Sequence, residues 1–177
     1  MSYNRRNFIK TSSLGAIATS TLSINCQNNL SNTREGIYMG DFADKPIKNI
    51  RAAFIGLNRG GSHLRNFATI QKTEVVALCD IYEENVKREL ERLYQYNSNT
   101  SNVKTYWGDK NKWKIMLKER RPDIVFISTN WNNHAPMAIQ SMIDGAHAFV
   151  EVPMAVTLEE MWDIVNTSEK TQKHCMM

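Results

Sequence analysis

A chain of 177 residues with 42% hydrophobic and 23% charged positions is long enough for one ordinary domain and too apolar for wholesale disorder. Its net charge of +4 is concentrated at one end: Arg5, Arg6 and Lys10 lie within residues 1–26, which hold no acid, and removing them from the 22 basic residues leaves 19 against 18 acidic ones. A nearly neutral body lacks the clustered positive charge of a nucleic-acid footprint, which excludes that class of partner.

Residues 1–30 read as an export signal. Arg5-Arg6 followed by Phe8-Ile9-Lys10 matches a twin-arginine pattern, and the mildly apolar run from Leu14 to Ile24 is too short and too rich in Ser and Thr to span a bilayer. That route carries folded proteins to the periplasm and suits an enzyme that takes up a cytoplasmic cofactor first. Cys26 is a candidate lipid-attachment residue, although "SIN" before it is a poor lipobox. Residues 31–47 are polar and aperiodic and read as a linker.

From residue 48 the pattern changes. "IRAAFIGL" is an apolar run of the kind buried in a parallel sheet. Ser62 to Gln71 reads as a helix with Leu64, Phe67, Ala68 and Ile70 facing the sheet, followed by a strand over 74–80, "EVVALCD". Cys79 within it reads as a small buried hydrophobe, and the three cysteines make no CxxC or zinc spacing with the histidines, so no metal site is expected. Glu83 to Tyr96 is a helix with Val86, Leu90 and Leu93 at helical spacing; "NVKTYWG" is a strand, "KWKIMLKER" a helix and "DIVFIST" the clearest strand of all. A helix opening at Pro136 ends near Asp144 with Gly145 as its C′ residue, "HAFVEVP" is a strand, and Leu158 to Thr171 is a helix with Thr157 and Glu160 as a capping box. "KHCMM" begins a further strand. Trp107, Trp113 and Trp162 read as core or sheet-flanking residues, and His63 and His147 as structural. The expected fold class is α/β: residues 48–177 form a Rossmann-type doubly wound parallel sheet with helices on both faces.

Ligands in such sheets bind beyond the carboxyl ends of the strands, and the candidate residues gather there. "FIGLNRGGSHLRN" runs from strand to helix through glycines, the pattern that brings a pyrophosphate close to free main-chain amides. Gly56 and Gly61 keep the outer spacing of GxGxxG, with Asn58 in the middle place and Gly60 as a second flexible point. Asparagine tolerates positive φ better than other non-glycine residues, and that tolerance is the expected reason for Asn58. A tight turn without ligand fits the same residues. Asp80, 24 residues after Gly56, fits an acceptor for the adenosine ribose or a cap for the next helix; with no arginine immediately beside it, NAD is favoured over NADP. "STNWNNHAP" offers the flat face of Trp131 and the titratable ring of His134, and Glu151 ends a strand before Val152-Pro153.

Taken in order, the glycine turn, "VVALCD", "ISTNWNNHAPMAIQSMIDGAHAFVEVP" and "TLEEMWDIV" resemble the Gfo/Idh/MocA oxidoreductase superfamily, and within it the NAD-dependent N-acetylgalactosaminidases of glycoside hydrolase family 109. The resemblance covers roughly residues 48 to 177. It implies an NAD site lined by Asn58-Arg59, Asp80, Trp131, Asn132, Asn133 and His134, and Glu151-Val152. Sugar dehydrogenases of the superfamily carry "EKP", whose lysine assists proton transfer; here Val152 takes that place, as in the glycosidase branch. The implied chemistry is transient oxidation of the sugar 3-hydroxyl by NAD, elimination of the aglycone, addition of water and re-reduction. The family's second, sheet-rich α+β domain, which carries the acid/base groups and through which subunits could associate, would begin where this chain stops. The catalytic residues are therefore assigned to no position here, and the chain alone is expected to be inactive. Two alternatives remain open: a sugar or polyol oxidoreductase of the same superfamily, and a non-catalytic nucleotide-binding module.

Overall fold

The structure, a computed structural model, describes residues 38–96 and 102–177. The export segment 1–30 with Cys26, and the linker as far as residue 37, lie outside the described residues. The remainder of the linker carries a short 3-10 turn, Met39–Asp41, and is tied down at Asp44. That carboxylate accepts from Lys173 Nζ at 2.9 Å and from His147 Nε2 at 3.1 Å, and the lysine above all holds it down to about 2.

Among the described residues six strands alternate with five helices: β1 (Ile50–Ile55), α1 (Gly61–Ala68), β2 (Thr73–Cys79), α2 (Glu83–Tyr96), β3 (Lys104–Tyr106), α3 (Lys112–Arg120), β4 (Ile124–Ile127), α4 (Trp131–Ile143), β5 (His147–Val150), α5 (Leu158–Thr171) and β6 (Cys175–Met176). The sheet order is β3-β2-β1-β4-β5-β6 and every pairing is parallel. This is the Rossmann order expected from the sequence. The order in which strands are added reverses at β1: β2 and β3 step to one side, β4 to β6 to the other.

Alternation along β1 shows why the strands are apolar throughout. Ala52 and Phe54 pack with Leu64, Phe67 and Ala68 of α1 and with Val86 and Leu93 of α2. Ala53 and Ile55 face the opposite layer, where Trp113, Met116 and Leu117 of α3 meet Ala135, Ala138 and Met142 of α4 and Ile164 of α5. At its carboxyl edge the sheet is level, because Ile55 pairs with both Cys79 and Ile127, Cys79 with Tyr106, and Ile127 with Val150. The groups following each strand therefore emerge side by side.

Several local expectations need correction. Ile70 lies beyond the end of α1 and is exposed, because the helix stops at Ala68. Trp107 and Trp162 are exposed; Trp113 alone of the three is core. The helix expected to open at Pro136 opens at Trp131, which places Pro136 in its sixth position. The missing proline N–H removes one hydrogen bond to Asn132, a loss offset by burial of Ala135, Met137 and Ala138 on the same helix. By contrast α5 has the expected capping box: Glu160 N–H donates to Thr157 Oγ1 at 3.2 Å, and Thr157 N–H donates to Glu160 Oε2 at 3.3 Å. Gly145, at φ 96°, closes α4.

Candidate functional site

A cleft of about 440 Å³ opens beyond the carboxyl ends of β1, β2 and β4, at the point where the strand order reverses. One wall is Gly56 and Asn58 after β1, with Asp80, Tyr82 and Asn85 after β2 beside it. The facing wall is Ser128, Thr129 and Asn130 after β4, Asn133 in the first turn of α4, and Met137. Lys110 and Trp113, ahead of and within α3, complete the rim.

The glycine turn answers the question that Asn58 poses. Gly56 takes φ 84°, and a side chain there would also sit 2.3 Å from Ser128 O, so glycine is required twice over. Among the described residues the non-glycine positions with positive φ are Lys72, Arg121 and Gln172; Asn58 is not one of them. The expected reason for asparagine is thus wrong, since once Gly56 has turned the chain the middle position needs no special backbone. Gly60 is excluded from carrying a Cβ by Gly56 O at 2.2 Å. At Gly61 a Cβ would strike the carboxyl group of Glu89, 2.7 Å away, so this glycine serves the packing of α1 on α2.

Helix α1 starts immediately after this turn with no side-chain cap and no acid in its first turn. Its leading amides have no intrahelical acceptor, which makes the helix start an anion site. Arg59, with a side chain 79% exposed, adds positive charge beside it. On the same wall Asp80 is 9% exposed and accepts three hydrogen bonds: Leu57 N–H to Oδ2 at 2.7 Å, and Tyr82 N–H and Asn85 Nδ2 to Oδ1 at 2.9 and 3.2 Å. A carboxylate has about four acceptor positions, so one remains for a ligand hydroxyl. Cys79 beneath it is inert: burial first, and the Asp80 charge second, push its thiol up to about 12. Uncapped helix amides and a fixed carboxylate, one strand apart, suit the diphosphate and ribose of a dinucleotide.

The other sequence candidates are distributed differently. Asn133 reaches the cleft wall, while Trp131 is 63% exposed at the start of α4. Asn132 is exposed beside it. His134 is 1% exposed and spends its ring on the protein: Nδ1 lies 2.7 Å from Pro153 O and Nε2 3.1 Å from Thr129 O. Glu151 and Val152 border a second, apolar hollow of about 170 Å³ between α1 and the ends of β5 and β6, which shares Ser128 with the main cleft. There His63 Nε2 donates to Glu151 Oε1 at 2.7 Å, and Arg59 Nε approaches the same oxygen at 3.4 Å. The His63 bond, ahead of a smaller contribution from Val152 N–H, holds the Glu151 carboxyl below its ordinary value against the opposing effect of burial. Sequence reading missed Asn85, Glu89, Ser128 and Lys110. Their positions carry no local signal, because the neighbours that give them a role are distant in the chain.

The family described as oxidoreductases with an NAD-binding Rossmann fold, Gfo/Idh/MocA, matches residues 50–177. A protein of Akkermansia muciniphila named glycosyl hydrolase family 109 protein 2 is 48% identical over 141 residues, covering 79% of this chain and 29% of its own. Glycosyl hydrolase family 109 protein 1 of Shewanella sp. (strain MR-4) is 37% identical over 179 residues, covering 98% and 39%. The chain thus spans well under half the length of these relatives. Among solved structures, the WlbA dehydrogenase of Chromobacterium violaceum, in complex with NADH and UDP-GlcNAcA, is 25% identical with a TM-score of 0.61, covering 75% of this chain and 36% of that one. Scyllo-inositol dehydrogenase of Lactobacillus casei, with NAD(H) and scyllo-inositol bound, shares the fold at 21% identity and a TM-score of 0.61, over 73% of this chain and 36% of its own. The uncapped helix after the glycine turn, the carboxylate at the end of β2 and the matched span lead to one conclusion: this chain belongs to the Gfo/Idh/MocA oxidoreductase family and carries its NAD-binding Rossmann domain.

Proposed function

We propose that the chain is the NAD-binding part of an exported glycosidase of the family-109 type, acting on N-acetylgalactosaminides. The observation that carries this reading is the 48% identity over 141 residues to a relative named for that family. Val152, standing where sugar dehydrogenases of the resemblance have lysine, supports it, because a valine cannot shuttle the proton of an oxidised hydroxyl. The twin-arginine pattern at Arg5-Arg6 supports export.

In this reading the amides of the turn from Asn58 to Gly61 hold the diphosphate, aided by Arg59, and Asp80 accepts from the adenosine ribose. Asn133 orients the cofactor from the opposite wall, and Trp131 and Asn132 present the outer face of α4 to the sugar. His134 fixes the start of that helix, and Glu151 and Val152 border the reacting end. When bound, NAD would supply a reversible hydride acceptor, taking the hydride from the carbon bearing the sugar 3-hydroxyl so that the neighbouring proton is acidified, and returning it to that carbon after loss of the aglycone and addition of water. The proton transfers are assigned to residues outside this chain.

The test joins residues 48–177 to the remaining part of the Akkermansia muciniphila relative and supplies NAD with an aryl N-acetylgalactosaminide. Release of the aryl group with no net NADH supports the proposal. Net NADH formed from a free sugar or polyol would replace it with the dehydrogenase reading, which the likeness to the WlbA dehydrogenase favours. NAD binding without any turnover would leave a nucleotide-binding module.

A further inference from the structure

Beneath the glycine turn lies a carboxylate that the site described so far does not use. Glu89, in the middle of α2, is 1% exposed. It gathers three arginines: Arg92 Nη1 at 2.8 Å and Arg88 Nε at 3.1 Å on Oε1, and Arg65 Nη1 of α1 at 3.2 Å on Oε2. A buried carboxylate without such partners would be strongly destabilising, so the cluster is internally compensated. Three cations around one anion still leave an excess of positive charge under the start of α1.

The three arginines are not equivalent. Among the described residues, Arg65 and Arg92 have Glu89 as their recorded side-chain partner. Arg88 does more: Nη1 donates to Asn85 Oδ1 at 2.7 Å, and Nη2 donates to Leu57 O at 3.3 Å. Asn85 Nδ2 donates in turn to Asp80 Oδ1, and Leu57 N–H to Asp80 Oδ2. Asp80, Leu57, Arg88 and Asn85 therefore form a closed ring of hydrogen bonds, with Glu89 anchoring its arginine from behind. Leu57, the first residue of the turn after Gly56, is fully buried, and its N–H and C=O are both held by ring members. A guanidinium presents several donors in a rigid fork and can hold Glu89, Asn85 and Leu57 at once, which a lysine cannot do.

We propose that Arg88, held by the buried Glu89 carboxylate, is the positioning residue of the dinucleotide site, closing the ring that fixes both the Asp80 carboxylate and the Leu57 end of the phosphate turn. The inference rests on the reading of Asp80 as the ribose acceptor. Arg88 touches no cofactor atom in this account; it acts through Asn85, Leu57 and Asp80, which are thereby set before ligand arrives.

The experiment measures NAD affinity of the whole chain by calorimetry, with circular dichroism to verify folding. Arg88→Met is expected to weaken binding tenfold or more, and Arg88→Lys, which keeps a charge for Glu89 but loses the fork, to weaken it by a smaller factor. Arg92→Met removes an equal charge from Glu89 and is expected to leave affinity within twofold. The decisive readout is a cycle: in an Asp80→Ala background Arg88→Met should cost clearly less than in the wild type, because one of the two groups it positions is gone and only the Leu57 contact remains to be lost. Should Arg88→Met fail to fold, Arg88→Lys is carried through the same cycle. Unchanged affinity in the Arg88 variants, an equal loss in both backgrounds, or an equal loss in Arg92→Met would overturn the inference. Wild-type chain that binds no NAD would instead overturn the reading of the site on which it rests.

Discussion

Helices α1 and α5 both begin at the carboxyl edge of the sheet, one after β1 and the other after β5, and they begin in opposite ways. Helix α5 satisfies itself: Thr157 and Glu160 exchange hydrogen bonds, Val156 N–H also donates to Glu160 Oε2 at 2.8 Å, and Glu159 and Glu160 place negative charge in the first turn. Helix α1 has Gly60 at its N-cap, no side-chain acceptor, no acid, and an arginine just before it. The same physical demand, free amides and a positive dipole end, is met from within at α5 and left for a ligand at α1. In the proposed site, stability and binding thus fall to different helix starts of one domain.

The comparison can be broken most severely at Gly60. Gly60→Val would drive a side chain into the Gly56 carbonyl and against the Ser128 side chain of the cleft wall, so NAD binding should fall below detection in calorimetry while the helices and the sheet persist in circular dichroism. Asp80→Ala should weaken NAD by roughly 1.5–3 kcal/mol if its ribose bonds are charge-assisted. Unchanged affinity there would remove the ribose assignment. Next comes the cap itself: Thr157→Ala should lower stability by about 1 kcal/mol in denaturant melts and leave NAD affinity alone. Its mirror image is Ser62→Asp, which supplies α1 with the acid it lacks. This change should raise stability by about 0.3–1 kcal/mol and weaken NAD binding, a trade that sharpens the contrast between the two starts.

The smallest effect is one of pH. The Glu151 carboxyl is held below its ordinary value chiefly by the His63 hydrogen bond. A depressed carboxylate contributes stability that is present above its unfolded value and lost as pH falls through the folded one. His63→Ala should therefore move the carboxyl resonance of Glu151 back towards an ordinary titration in NMR, lower stability above the carboxylate range, and make the acid limb of the stability curve shallower, because Glu151 then loses less stability on protonation.

Much of the fold was legible because the signals were local. Apolar runs marked the strands, and the ends of α2, α3 and α5 fall where helical spacing and capping residues put them. The start of α4 was misread because Asn130 makes no side-chain cap, leaving Pro136 as the more visible marker. Asn58 was explained by backbone tolerance when Gly56 alone turns the chain. Of the candidate cofactor site, the glycine turn and Asp80 are the parts that spacing points to. Glu89 could not: on the helix pattern it belongs to a charged face, and its burial depends on Arg65, which reaches it from α1. The absence of an arginine next to Asp80 in sequence likewise hid Arg88, which comes within one side chain of that carboxylate only once α2 has folded.

His134 acts as a rivet through two layers of loop. With a carbonyl of the β4 end on one side of its ring and the carbonyl of Pro153 on the other, the segment bearing Val152 cannot swing without dragging the opening turn of α4. The strand-end segment bearing Val152 and the helix turn bearing Trp131 are thereby joined through one buried ring, and displacement of either is resisted by the other.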